Sequence, residues 1–170
     1  MNKSLQQYKD MFKEQRPEKW NGIPDIDLYM DQVLSYMQRQ HIGLQVDETL
    51  TSSMVNNYTK QGVMPKAKGK KYNREHIAYL TAICLLKQVI SMTDCKTLLD
   101  KQIGDEEISR FYEKYSKILD EELVNVDNFM GTCDNDDEIA DLALKLAISS
   151  YTQKLACQCL IKSLEKEEEK

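Results

Sequence analysis

Apolar residues recur at three- and four-residue intervals through most of the chain, the spacing of helices that each bury one face. Residues 4–15 predict a short helix, broken by Arg16, Pro17, Trp20, Asn21, Gly22 and Pro24. From Asp27 to Arg39, apolar Met30, Val33, Leu34 and Met37 oppose polar Asp31, Gln32, Gln38 and Arg39, which predicts a core helix followed by a polar connector from Gln40 to Thr49. Asn73 caps a further helix whose Leu80, Ile83, Leu86 and Ile90 form one stripe, and Ser91 with Asp94 opens another through Cys95, Leu98 and Leu99. Ile108, Phe111, Tyr112, Tyr115, Leu119, Leu123 and Val126 predict a helix of about twenty residues from Asp105. After a break at 130–135, a last helix is expected from Asp136 to Lys166. Its apolar residues surround much of the circumference, so more than one side must be covered.

The segment 51–80 carries the most information. On a wheel of about 100° per residue, Thr51, Met54, Val55 and Tyr58 share one side of a helix, while Ser52, Ser53, Asn56, Asn57 and Lys60 share the other. Thr51 is a suitable N-cap, and Gly62 before Val63, Met64 and Pro65 ends the helix near residue 61. Hydroxyls and short amides are poor helix formers, and their use on an outer face suits hydrogen bonding to base edges and phosphates better than mere solvation. After Pro65, Lys66, Lys68, Lys70 and Lys71 surround Gly69. Extended pieces at 63–65 and 70–72 would close a small hairpin tipped with ammonium groups, a wing able to reach phosphates.

Charge sharpens this picture. The net charge is -5, yet residues 51–90 hold seven basic and one acidic side chain, against six and eight before them and ten and nineteen after. Polyanion binding follows local potential, so the island outweighs the acidic total. Six Gly and three Pro are too few for a many-stranded sandwich or barrel, so a mainly α protein is expected. The opening residues lack an apolar export core and no apolar run reaches the ~18 residues of a membrane span, which predicts a cytoplasmic protein without membrane partners. Cys84, Cys95, Cys133, Cys157 and Cys159 form no CxxC pair, and His41 and His76 are far apart, so core thiols are expected and no metal or other cofactor. The acidic DNDDE run lacks the Gly and spacing of a calcium loop and reads as a helix cap.

Val55, Asn56, Asn57, Tyr58, Gly62, Val63, Met64, Pro65, Tyr72, Asn73, Met92, Cys95 and Leu99 stand in an order that resembles the MerR-type winged helix-turn-helix over residues 50–100. More closely, IPDIDLYMDQV, LTSSMVNNY and GKKYNREHIAYL are similar to a bacterial family of unknown function, with a MerR-like DNA-binding domain, over residues 23 to about 165. The resemblance implies a winged helix-turn-helix with a small β-hairpin wing, followed by a C-terminal helical hairpin. Asn56 stands where MerR proteins usually carry a phosphate-binding Arg, a role that would pass to Lys60 or Arg74.

The chain thus divides into an N-terminal helical arm (1–22), a winged helix-turn-helix domain (23–102) and a C-terminal helical region for dimerisation or sensing (103–170). The leading expectation is a transcriptional regulator that binds double-stranded DNA as a homodimer through its C-terminal helices. Helix 51–61 would enter the major groove and the wing 66–71 would hold phosphates. The expected DNA-binding set is Ser52, Ser53, Asn56, Asn57, Lys60, Lys66, Lys68, Lys70, Lys71, Tyr72 and Arg74. The alternatives are a protein-interaction module that does not bind DNA, and a sensor of an unknown small-molecule effector, or an enzyme, that uses the C-terminal helices. No nucleophile, base and oxyanion donor assemble in the sequence, so no enzyme is expected.

Overall fold

A computed structural model describes residues 3–40, 49–131, 133 and 135–165. His41, Lys166 and most of the connector 40–49 lie outside the described residues. Among these, seven α-helices follow one another: α1 (Lys3–Glu14), α2 (Met30–Met37), α3 (Ser52–Lys60), α4 (Arg74–Leu86), α5 (Met92–Ile103), α6 (Ile108–Met130) and α7 (Asp136–Glu165), with a 3-10 turn at Trp20–Gly22. The protein is mainly helical, and no helix is long and apolar enough to cross a membrane among the described residues.

The chain forms two compact units. One comprises residues 16–116, and the other joins residues 1–15 to 117–170, so the division falls inside α6. In the first unit α2 packs against both α3 and α4. Val33 and Met37 of α2, Val55 and Tyr58 of α3, Ile77, Leu80 and Ile83 of α4, and Cys95 and Leu99 of α5 are all buried. Tyr112, at the start of α6, is fully buried and its hydroxyl donates to the Glu18 carbonyl at 2.7 Å. Burial pushes its pKa up to about 12. Gln40 Oε1 accepts from the Glu18 backbone N–H at 2.8 Å, so both polar groups of this residue's backbone are held. Residues 16–22, expected as part of an arm, are therefore fastened into this unit.

α2 is shorter than the expected span from Asp27 to Arg39. Leu28 is engaged elsewhere: its backbone N–H and C=O both pair with Tyr72. The helix can begin only after that bridge, and the Gln32 side chain caps it by accepting from Tyr29 N–H at 2.9 Å. The connection from Gln38 to Thr51 is far longer than the three-to-four-residue turn of a helix-turn-helix.

The expected β-hairpin wing is not formed, since the described residues contain no strand. Two isolated bridges stand in its place, Lys68 with Lys71 and Leu28 with Tyr72. Residues 63–65 do not pair with 70–72 because Val63 and Met64 turn inward, 3% and 4% exposed, to complete the core beneath α3.

In the second unit, Lys13 of α1 pairs with Asp127 of α6 at 3.6 Å. Asn135 caps α7 by accepting from Glu138 N–H at 3.0 Å, as the acidic cap reading of this run expects. The five cysteines form no disulfide; Cys84, Cys95 and Cys133 are buried and Cys157 is half-buried. Cys159, expected in the core, is exposed instead, because it lies on the outer side of α7.

Candidate nucleic-acid interface

α3 shows the two faces that its sequence implies. The Thr51 hydroxyl accepts from Met54 N–H at 3.3 Å and starts the helix. Val55 and Tyr58 are buried, whereas Ser52, Ser53, Asn56, Asn57 and Lys60 are all exposed. At the C-terminus Gly62 has φ +69°, Gly62 N–H donates to Thr59 O at 3.1 Å, and Val63 N–H donates to Tyr58 O at 2.9 Å. This is a Schellman motif, which needs the left-handed conformation at Gly62 and turns the chain sharply back. The turn is what brings the lysine segment off the end of α3.

Lys68 and Lys71 exchange two backbone hydrogen bonds, 3.2 and 3.0 Å, around a two-residue turn. Gly69 and Lys70 have φ of +57° and +67°, the double positive φ of a type I′ turn. Lys70 is the one non-glycine residue with positive φ among the described residues. A left-handed residue other than glycine costs about 1–2 kcal/mol, so the lysine occupies a position that backbone sterics would assign to Gly or Asn. Lys66, Lys68, Lys70 and Lys71 are exposed, and Lys71 Nζ also lies 5.7 Å from the ring centre of Tyr29.

Two members of the sequence-derived set face inward. Tyr72 is 6% exposed, with its ring edge-on to His76 at 5.4 Å, and its backbone is bound to Leu28. Arg74 is half-buried: its Nε donates to Ile23 O at 3.0 Å, its guanidinium lies 5.6 Å from the Trp20 ring centre, and Asp25 is 3.9 Å away. These two side chains anchor the lysine turn and the start of α4. The other nine are exposed together on α3 and the segment that follows it.

His76 is a structural part of this region that the sequence left undefined. It lies at the third position of α4, where its Nδ1 accepts from Asn73 N–H at 3.2 Å while Asn73 Oδ1 accepts from His76 N–H at 3.3 Å. This reciprocal cap uses an imidazole where Glu or Gln is usual, which hid it from motif reading. Its Nε2 lies 3.3 Å from Lys66 O, an acceptor only, so the hydrogen sits on Nε2 and ties the cap to the lysine segment. Nδ1 also lies 2.5 Å from Asn73 Oδ1, a contact that would suit a second ring proton, but burial opposes it and holds the His76 pKa below its ordinary value.

Among the described residues no group of three or more His, Cys, Asp or Glu side chains could hold a metal ion. Burial pushes the Cys84 thiol up to about 11, which makes it inert rather than nucleophilic near neutrality.

Residues 18–116 match the model of a family described as a domain of unknown function, DUF1836. The match covers more than half of the chain and nearly coincides with the 16–116 unit. The chain belongs to this family. The match stops at residue 116 rather than near 165, so α7 and most of the second unit lie outside the family domain. No curated protein and no solved structure matches the chain.

Proposed function

We propose that this DUF1836 protein is a DNA-binding regulator of the MerR-like type, with α3 reading the major groove and the lysine turn holding phosphates. The observation that carries the reading is the exposed, acid-free surface of α3 and the turn. From Thr51 to Arg74 the sequence contains no Asp or Glu, and every hydroxyl, amide and ammonium group proposed for contact, Tyr72 and Arg74 apart, is exposed. Asn56 and Asn57 would bond base edges, adenine N6 and N7 being the natural bidentate partner of an amide. Ser52, Ser53 and Lys60, together with Lys66, Lys68, Lys70 and Lys71, would bond or neutralise phosphates. The strained backbone at Lys70 supports the same reading, since strain retained at an exposed charged residue points to a use for that charge.

Two features set the fold apart from a MerR winged helix: the long α2–α3 connection, and a two-residue turn in place of a hairpin. The proposal therefore rests on surface chemistry. Tyr72 and Arg74 act through positioning.

Selection of bound sequences from a random duplex pool, followed by titration at several salt concentrations, tests the proposal. Affinity should fall steeply with salt. Lys70→Glu with Lys71→Glu should weaken binding across all sequences, and Asn56→Ala should relax preference at a base position. If the paired charge reversal leaves duplex retention unchanged, the protein-interaction reading replaces this one.

A further inference from the structure

α7 carries apolar side chains on two opposite sides; one is partly covered, with Leu160 on it still 68% exposed, and the other is uncovered. Ile139, Leu142, Leu146, Cys157 and Leu164 fall on one side of the helix and are half-buried. Opposite them, Leu144, Ile148, Tyr151 and Leu155 lie within an arc of about 60° and are 62%, 57%, 63% and 43% exposed. Their alternating spacing of four, three and four residues is the a/d repeat of a two-helix seam. On α6, by contrast, Glu122 and Asn125 interrupt the face shared by exposed Ile118 and Phe129.

The stripe on α7 continues past its apolar centre in both directions, and its ends have opposite charge. Asp137 precedes Leu144 and Lys162 follows Leu155 on the same arc, with Asp141 and Gln158 about 20° beyond its edges. Both aspartates and Lys162 are exposed. Read along the helix, the stripe runs from acid through apolar to base over about 37 Å. Such a stripe is complementary to itself when turned end for end. An axis between Ser149 and Ser150 sets Leu144 against Leu155 of the partner subunit, Ile148 against Tyr151 of the partner subunit, and Asp137 against Lys162 of the partner subunit. Parallel pairing in register would instead stack Asp137 on its own copy and Lys162 on its own copy, both repulsive. A shallow groove along one edge of this stripe, lined by Asp141, Leu144, Lys145, Ile148, Ser149 and Thr152, offers a seat for side chains from across the axis.

We infer that the exposed face of α7 is the interface of a homodimer in which the two α7 helices run antiparallel about an axis between Ser149 and Ser150. The interface is isologous, so each contact occurs twice. It stands apart from DNA binding, because the stripe lies outside the family domain and needs no duplex.

Sedimentation of the full chain tests this inference. The expected mass is twice the 19.8 kDa of one chain. Ile148→Glu with Tyr151→Glu should give a monomer with unchanged helical circular dichroism, as both residues are exposed in the single chain. Lys162→Glu should weaken the dimer about tenfold, since it sets like charges together at both ends of the seam. Adding Asp137→Lys should restore it, which only the antiparallel arrangement allows. A chain monomeric at all concentrations, or a dimer indifferent to the glutamate pair, overturns the inference. So does a Lys162→Glu dimer that Asp137→Lys fails to rescue. Should the glutamate pair unfold the helix, the charge swap still decides.

Discussion

Leu28 and Tyr72 exchange both of their backbone hydrogen bonds, at 2.8 and 2.9 Å, and so fasten the end of the lysine turn to the segment that enters α2. Tyr72 therefore works through its backbone and its buried ring. Tyr72→Phe is expected to leave duplex affinity and its salt dependence unchanged. Lys71→Ala should reduce the magnitude of the salt slope by about one. Fluorescence anisotropy over a salt series compares the two directly.

Lys70 separates stability from binding. Asn adopts the left-handed conformation more readily than Lys and does not carry the entropy cost of Gly. Lys70→Asn should raise unfolding stability by about 0.5–1 kcal/mol, measured as a higher urea midpoint at constant slope. Its affinity for duplex DNA should fall. A loss of stability would mean that the positive φ is not strained there.

His76 makes the fold sensitive to acid. Burial lowers its pKa, while the Lys66 carbonyl, Glu75 and Asp27 act in the opposite direction and Lys68 adds to the lowering. The unfolded chain, with a histidine pKa of about 6.5, binds a proton more readily than the fold does. The contribution is thus fully present above about pH 6.5 and is lost as pH falls below it. Urea midpoints between about pH 8 and pH 5 should decline more steeply for the native chain than for His76→Gln.

Tyr112 and Glu18 join the two ends of the family domain. Tyr112→Phe keeps the buried ring but deletes the 2.7 Å bond to the Glu18 carbonyl, and should cost about 1 kcal/mol. Thr51→Ala should cost a similar ~1 kcal/mol by uncapping α3. The two sites share no bond, so the double variant should lose the sum within about 0.5 kcal/mol, read from denaturant unfolding.

Helix identity was legible wherever local chemistry decides it. Thr51, Asn73 and Ser91 each cap the helix that their spacing implies, and Gly62 ends α3 as its neighbours suggest. The split of α3 into buried Val55 and Tyr58 against exposed Asn56 and Asn57 was likewise written in its periodicity. Long-range pairing was not. Nothing near Tyr72 announces Leu28 as its partner, so an extended segment that binds α2's entry looked like half of a hairpin. Arg74 read as a phosphate ligand because its partners, Trp20 and the Ile23 carbonyl, are distant in sequence. His76 escaped because a capping imidazole follows no common motif.

One unit of this protein lies wholly inside residues 16–116, while the other draws α1 from before it and α7 from after it. During synthesis the inner unit can close as soon as the first turns of α6 emerge, but α1 must wait, unsupported, until the rest of α6 follows and brings Asp127 to Lys13. A fragment cut at residue 116 would carry α1 as a stranded passenger, and its removal, back to residue 16, is the natural way to obtain the family domain alone.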